Sequence, residues 1–307
     1  MTKIAAADML RLGIDLGGTK IAGIALAAGD RVRGERRVTA PKQSYAATIE
    51  AIVEVIACLE RDAGASGTIG IGMPGSVSPA TGLVQNANST WLNGRPFARD
   101  LEARLSRQVR LANDANCFAL SEAADGAGAG ARSVFGVILG TGCGGGLAFE
   151  GKLIDGPNSI AGEWGHNPLP WADANEHPGP KCWCGRNGCL ETWLSGPGLE
   201  ADHARVTGSR LASEQIAAEA IRGNVAARAT LDRHADRLAR GLAHIVNVFD
   251  PQVIVLGGGL SKLAHLYAEL PSRIGVHVFA ERPQIAVSPP RWGDASGVRG
   301  AARLWAS

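Results

Sequence analysis

The feature that most constrains the fold is a pattern that occurs twice. Near the start, apolar segments 10–16 and 21–26 read as strands joined by Gly17-Gly18-Thr19-Lys20, a tight hairpin turn. The pattern restarts with strands over 133–139 and 146–149 around the glycine turn Gly140-Thr-Gly-Cys-Gly-Gly. In the first half a strand follows over 31–39. Ile49, Ile52, Val53, Ile56 and Leu59 then recur at helical spacing over 45–62. A buried strand over 68–73 ends at Pro74-Gly75, and a helix over 97–105 leads to a strand over 109–112. In the second half an Ala-rich helix is expected over 115–131 and a long helix over 226–249. A strand over 253–256 then turns at Gly257-Gly258-Gly259 into another helix, and a strand (285–287) and a helix (297–304) close the chain. The expectation is an internally duplicated α/β architecture with a ligand cleft between the halves.

At 307 residues the chain can bury two substantial cores. It is 45% hydrophobic and 20% charged, ordinary values for a globular protein. The net charge of +2, without a dense Lys/Arg block, argues against nucleic acid or an anionic membrane as partner. The longest apolar run, 134–149, carries six glycines and is too short for a membrane span. Asp8 interrupts the only apolar stretch at the N-terminus, which argues against a secretion signal. The expected setting is cytoplasmic.

Cys58, Cys117 and Cys143 lie singly in apolar segments and read as buried reduced thiols. Cys182, Cys184 and Cys189 cluster, and His166 stands 16 residues before the first of them. One histidine and three cysteines complete a tetrahedral, closed, structural zinc set. The Cys-x-Cys gap makes an internal disulfide strained. Glu163, three residues before His166, and Glu191, two after Cys189, would each pass for a surface charge alone. Tethered to one metal, they would be held rigidly.

Asp15 with Gly17, Gly18, Thr19 and Lys20 reads either as a plain hairpin or as a phosphate-binding turn. In the second reading backbone N–H groups meet phosphate oxygens and Asp15 holds Mg²⁺. Gly140-Thr141-Gly142, at the equivalent place in the other half, strengthens the second reading. Asp114, between Asn113 and Asn116, reads locally as a helix cap, or else as a base for a substrate hydroxyl that Asn113 orients. Three glycine motifs are discarded. Gly146-x4-Gly151-Lys152 is followed by Leu153 rather than Ser or Thr, so it is no P-loop. Gly70-x-Gly72-x-x-Gly75 and Gly140-x-Gly142-x-x-Gly145 do not open helices, which makes dinucleotide binding weak.

Together these motifs resemble the ROK family of sugar kinases and repressors. They are Asp15-Leu-Gly-Gly-Thr-Lys20, Asn113-Asp-Ala-Asn116, Leu139-Gly-Thr-Gly142, Gly162-Glu-Trp-Gly-His166, Cys182-x-Cys-Gly-x-x-Gly-Cys189-Leu-Glu191 and Leu256-Gly-Gly-Gly259. The loops Asn86–Gly94 and Glu163–Trp171 look most like bacterial manno(fructo)kinases. The resemblance implies an actin-like ATPase fold of two RNase H-like domains, residues 1–112 plus 297–307 and residues 113–296, around a central cleft. It further implies ATP and Mg²⁺ in the cleft, structural Zn²⁺, and transfer to the 6-hydroxyl of a hexose, fructose first. Carried over, Asp114 is the general base, which overrides the cap reading. Asn113, Glu163, His166 and Glu191 line the sugar site, and His166, Cys182, Cys184 and Cys189 hold zinc. Asp15, Gly17, Gly18, Thr19, Lys20, Gly140, Thr141 and Gly142 hold phosphates, and Gly257, Gly258 and Gly259 sit by the adenosine. The other sugars implied are glucose, mannose and N-acetylhexosamines, and a homodimer is implied as well. Family repressors carry an N-terminal winged helix-turn-helix. Asp15 comes too early for one, and the intact motifs argue against a non-catalytic regulator.

Overall fold

The computed structural model describes residues 10–305. Residues 1–9 and 306–307, the outer ends of the first expected domain, lie outside the described residues.

The first sheet has the order β3-β2-β1-β4-β7, from β1 (Leu10–Leu16), β2 (Lys20–Leu26), β3 (Val32–Thr39), β4 (Gly67–Met73) and β7 (Val109–Asn113). Two short strands, β5 (Ser76–Val77) and β6 (Val84–Gln85), pair separately beside it. The second sheet repeats the plan as β10-β9-β8-β11-β12, from β8 (Ser133–Leu139), β9 (Cys143–Phe149), β10 (Lys152–Leu153), β11 (Val253–Gly257) and β12 (Val287–Ser288). In both, an antiparallel hairpin supplies one side, and the inner strand of the hairpin pairs in parallel with the next strand. The fold is the duplicated, actin-like ATPase α/β fold with a central cleft.

Helix α1 (Tyr45–Ala63) starts where the Ser44 hydroxyl accepts from the Ala47 N–H and stops at Gly64 in the left-handed conformation. It buries Ile49, Ile52, Val55, Ile56 and Leu59 against β2 and β3, and Val53 is only half-buried. Helix α2 (Phe97–Leu105) completes this core with Phe97 and Leu101. Around the second sheet lie α4 (Glu191–Leu194), α5 (Gly196–Thr207), α6 (Ser213–Ile221), α7 (Val225–Phe249) and α8 (His265–Gly275). The sequence reading did not find α4, α5 or α6, because they follow the zinc loop with weak amphipathic patterning.

Two helices cross between the halves. Helix α3 (Asp114–Asp125) follows a strand of the first sheet yet packs on β8 and β9, and α9 (Ser296–Arg303) packs on β1 and β4. The expected helix over 115–131 stops six residues early, because Gly126 breaks it and the Gly/Ala run after it forms turns. The two helices meet where Gly300 faces the Cys117 carbonyl, and a Cβ there would lie 1.7 Å from that oxygen. Glu122, fully buried on α3, accepts from the Ser296 hydroxyl at 2.6 Å and from the Ala127 and Arg291 N–H groups. Of the single cysteines, Cys117 and Cys143 are buried as expected, whereas Cys58 is only half-buried because it sits at the edge of the α1 stripe. No helix among the described residues is long and apolar enough to cross a membrane.

The long irregular segment before α4 is held by ions. Glu176 is buried and accepts from Arg237 Nε at 2.7 Å and from Arg240 at 2.8 Å, both on α7, while Arg240 also donates to the carbonyls of Pro170 and Trp171. Burial opposes ionisation of Glu176, but the two arginines outweigh it and lower its pKa to about 2. Removing one partner leaves buried charge uncompensated, so Glu176→Ala should cost about 3–5 kcal/mol by denaturant titration at neutral pH. A depressed carboxylate stabilises above its ordinary pKa, and that contribution is lost as pH falls towards about 2. The gap between wild type and variant should therefore close over that acidic range.

Candidate active site

The parallel strands of both sheets end at the cleft. Asp15 pairs with Gly72 and Met73 with Asn113, so the ends of β1, β4 and β7 stand side by side. Opposite them, Gly257 pairs with Ile138 at the ends of β11 and β8. Chain-reversing loops at the carboxyl ends of parallel strands are where α/β sheets bind ligands.

A cavity of about 410 Å³ opens there, lined by Gly18, Asn113, Asp114, Thr141, Gly142, Glu163, His166 and Glu191 among others. Residues from five separated motifs thus converge, as the sequence reading expected. Asn113, not Asp114, is the helix cap. Its Oδ1 accepts from the Ala115 N–H at 2.9 Å, and its Nδ2 donates to the Gly75 carbonyl. Asp114 is the first helical residue, with its carboxylate on the cavity wall.

That carboxylate keeps some accessible surface at the cavity and is otherwise enclosed by protein. Burial is the largest influence on it and raises its pKa. The hydrogen bond from Ala115 opposes this and the charge of Glu163 adds to it, so the pKa reaches about 6. Burial also raises Asp15 to about 6, with Asp114 adding repulsion and Lys20 and Arg37 opposing. Glu163 is raised by burial, and His166 and Glu191 pull in opposite directions. The site therefore concentrates carboxylates that want a cation or hydrogen-bond donors.

Both glycine turns are tight. The Gly17 N–H donates to the Lys20 carbonyl and the Gly140 N–H to the Gly142 carbonyl, each at 3.0 Å. Gly18, Thr141 and Gly142 reach the cavity wall, and Lys20 lies 3.9 Å from Asp294. Asp15, Gly17, Thr19, Lys20 and Gly140 do not line the cavity itself. Gly257, Gly258 and Gly259 also lie outside it. Gly258, at φ +80°, packs on the Leu139 backbone at the root of the second turn.

The turn bearing Glu163 and His166 lies flat on β9 because that strand is glycine-rich. Trp164 is buried, donates to the Gly144 carbonyl at 3.0 Å and meets Phe135 edge-on. The Nδ1 of His166 lies 3.6 Å from Cys182 Sγ, Cys184 Sγ lies 3.6 Å from Cys189 Sγ, and all four donor atoms fall within 4.8 Å of one another. These separations are close to the edges of a tetrahedron around zinc with ordinary bond lengths of about 2.0–2.3 Å. Burial disfavours a Cys184 thiolate, but hydrogen bonds from Arg186, Cys182 and Cys189 prevail and lower it to about 6, whereas burial raises Cys182 and Cys189. The donor set fits zinc, which would fix the loop. With Nδ1 turned to the cluster, Nε2 of His166 is left for the cavity.

Sequence reasoning missed Trp183, which lines the cavity from between two of the cysteines. Its indole N–H donates to Glu191 Oε1 at 2.7 Å, and its ring meets His166 edge-on at 5.0 Å. The Cys143 N–H donates to Glu191 Oε2 at 3.1 Å. Asn86 and Asn88 also reach the cavity. The Asn-rich loop was visible in sequence, but nothing local distinguished which of its residues face inward.

A profile of the ROK family matches residues 11–307. The chain is 41% identical over 297 residues to the N-acetyl-D-glucosamine kinase of Shigella boydii serotype 4 (strain Sb227), covering 95% of this chain and 98% of that one. Its fold superposes on the ROK hexokinase from Thermus thermophilus with a TM-score of 0.85 at 32% identity, over 96% of this chain and 97% of that chain. It also superposes on a ROK family glucokinase from Streptomyces griseus, in complex with glucose and AMPPNP, with a TM-score of 0.76 at 28% identity. That match covers 96% of this chain and 98% of the other. These similarities give no support to fructokinases as nearest relatives, the expectation drawn from the loops.

Cys184→Ser should lose bound zinc and sugar binding together while the fold survives, read by metal analysis, sugar titration and circular dichroism. Zinc at wild-type stoichiometry would contradict the ligand set. A base at Asp114 would have to be ionised to act, so kcat/KM should then fall as pH drops through about 6. Glu163→Gln removes a like charge and should move that acid limb to lower pH, whatever it does to the plateau.

Proposed function

The chain belongs to the ROK family and is an ATP-dependent sugar kinase; we propose that it transfers the γ-phosphoryl group of ATP to the 6-hydroxyl of N-acetyl-D-glucosamine. The observation that carries the reaction is the convergence of Asp114, the second glycine turn, Glu163, His166 and Glu191 on one cavity. The 41% identity to N-acetyl-D-glucosamine kinases supports the sugar. Fructose is the second reading, favoured by the likeness of loops 86–94 and 163–171 to manno(fructo)kinases.

In this reading Asp114 accepts the proton of the 6-hydroxyl. Phosphoryl transfer depends on positioning and charge stabilisation more than on basicity, so a carboxylate near pKa 6 is strong enough. Asn113, Glu163, His166 and Glu191 orient the sugar through its hydroxyls. Asp15, Gly17, Gly18, Thr19, Lys20, Gly140, Thr141 and Gly142 hold the phosphates, and Gly257, Gly258 and Gly259 flank the adenosine. Asp15 would hold Mg²⁺, directly or through water, and the ion would supply charge neutralisation for the phosphates. The crowded, raised carboxylate of Asp15 fits a cation partner. In the same reading the domains are residues 1–112 plus 297–307 and residues 113–296, and the protein is a cytoplasmic homodimer. Closure of the two domains on sugar would exclude water from the transferring phosphoryl group.

A coupled ADP-release assay across N-acetylglucosamine, N-acetylmannosamine, glucose, mannose and fructose should give the highest kcat/KM for N-acetylglucosamine. A preference for fructose would replace the sugar assignment. Asp114→Asn should lower kcat by about 10²–10⁴-fold with the fold intact.

A further inference from the structure

A second cavity, about 720 Å³, adjoins the first. The two share Asn86, Gly162, Glu163, His166 and Trp183, so residues assigned to the sugar form the boundary between them. Beyond that boundary the wall has an apolar side, from Ile160, Leu147 and Ile245 over the buried Phe135 and Trp164, and a rim of Asn167, Cys184 and Arg186. Phe135 and Leu147 are register partners on β8 and β9, and Ile245 stands on α7. Ile160 is 44% exposed and Trp183 60% exposed, large apolar groups left open beside a polar sugar pocket. All of these side chains surround the second sheet. Only Asn86 comes from the other half, so closure of the cleft would not dismantle the wall.

The chemistry of a pyranose says what enters. In the ring, C2 lies diametrically opposite C5, the carbon that carries the 6-hydroxymethyl group. With O6 at Asp114, a substituent on C2 points away from Asp114, towards the Glu163, His166 and Trp183 side. An acyl group on a 2-amino nitrogen therefore leads its carbon chain across the shared boundary into the apolar cleft. A single methyl needs a space on the order of one water, about 30 Å³, and the cleft is many times larger.

We propose that this cleft is an acyl-binding subsite, and that the enzyme phosphorylates glucosamines whose N-acyl chains are longer than acetyl. The proposal rests on the N-acetylglucosamine reading with O6 at Asp114. Trp183 is its specificity-determining wall. Its neighbours Cys182 and Cys184 and its hydrogen bond to Glu191 fix the indole at the mouth. A free 2-hydroxyl would leave this apolar surface wet.

The test measures kcat/KM for glucose, fructose, N-acetyl-, N-propanoyl- and N-butanoylglucosamine. The expected result is a constant value or a gain of up to about two- to fourfold per added methylene. Ile160→Trp, which fills the cleft from an exposed loop position, should lower the butanoyl-to-acetyl ratio by about tenfold or more. A tenfold drop from acetyl to propanoyl in the wild type overturns the proposal while leaving the N-acetylglucosamine reading standing. An unchanged ratio in Ile160→Trp also overturns it, because the acyl chain would then lie elsewhere. N-acetylglucosamine used no better than glucose and fructose overturns the parent reading and this one with it.

Discussion

The structure depends on how closely α3 and α9 cross. Gly300 lets the backbone of one helix touch the Cys117 carbonyl of the other, at a distance no side chain would allow. Interiors are packed too densely to accommodate even one methylene by drifting apart, so this contact fixes the crossing point. Asp114 stands at the start of α3, at the end of a strand of the first sheet and over the second sheet. The crossing therefore sets the position of the proposed base against both glycine turns. Glu122 and Ser296 secure the other end of the same contact.

The end of the cavity lined by Glu163, His166 and Glu191 relies on a different device. From β10 to α4 the chain has almost no regular structure, and such a segment ordinarily costs too much conformational entropy to hold side chains in place. Here it is pinned at three points: Trp164 against Phe135, Glu176 between two arginines of α7, and the Cys/His cluster. Glu163, His166, Trp183 and Glu191 all hang from this pinned segment. Order supplied by buried charge and the Cys/His cluster is what lets an irregular loop hold these side chains at the cavity.

Much of this was legible from sequence, for identifiable reasons. The two hairpins and their parallel partners follow from strand-length apolar runs bounded by glycine, a strong local signal. The Cys/His cluster follows from cysteine spacing, and the two glutamates at the cavity from their nearness to it in the chain. What was not legible needed contacts distant in sequence. The cap belongs to Asn113 rather than Asp114 because Gly75 holds its amide. The Ala-rich helix ends at Gly126 because Glu122 folds over to bind the Ala127 N–H. Trp183 gave no signal, since one aromatic between two cysteines has no local pattern to break.

The sequence by itself determined the duplicated α/β plan, the Cys/His cluster and the family, because each rests on residues that interact across short spans or recur as motifs. The tertiary structure decided which motif residues face one cavity and which only support it. Thr141 and Glu191 reach the wall, whereas Gly258 props the turn behind it. It also decided that a second cleft shares a boundary with the first cavity. That cleft is assembled from β8, β9, α7 and two loops, and its parts lie as far apart in the chain as Phe135 and Ile245. Only packing brings such residues together, so no reading of the chain in order could have placed them.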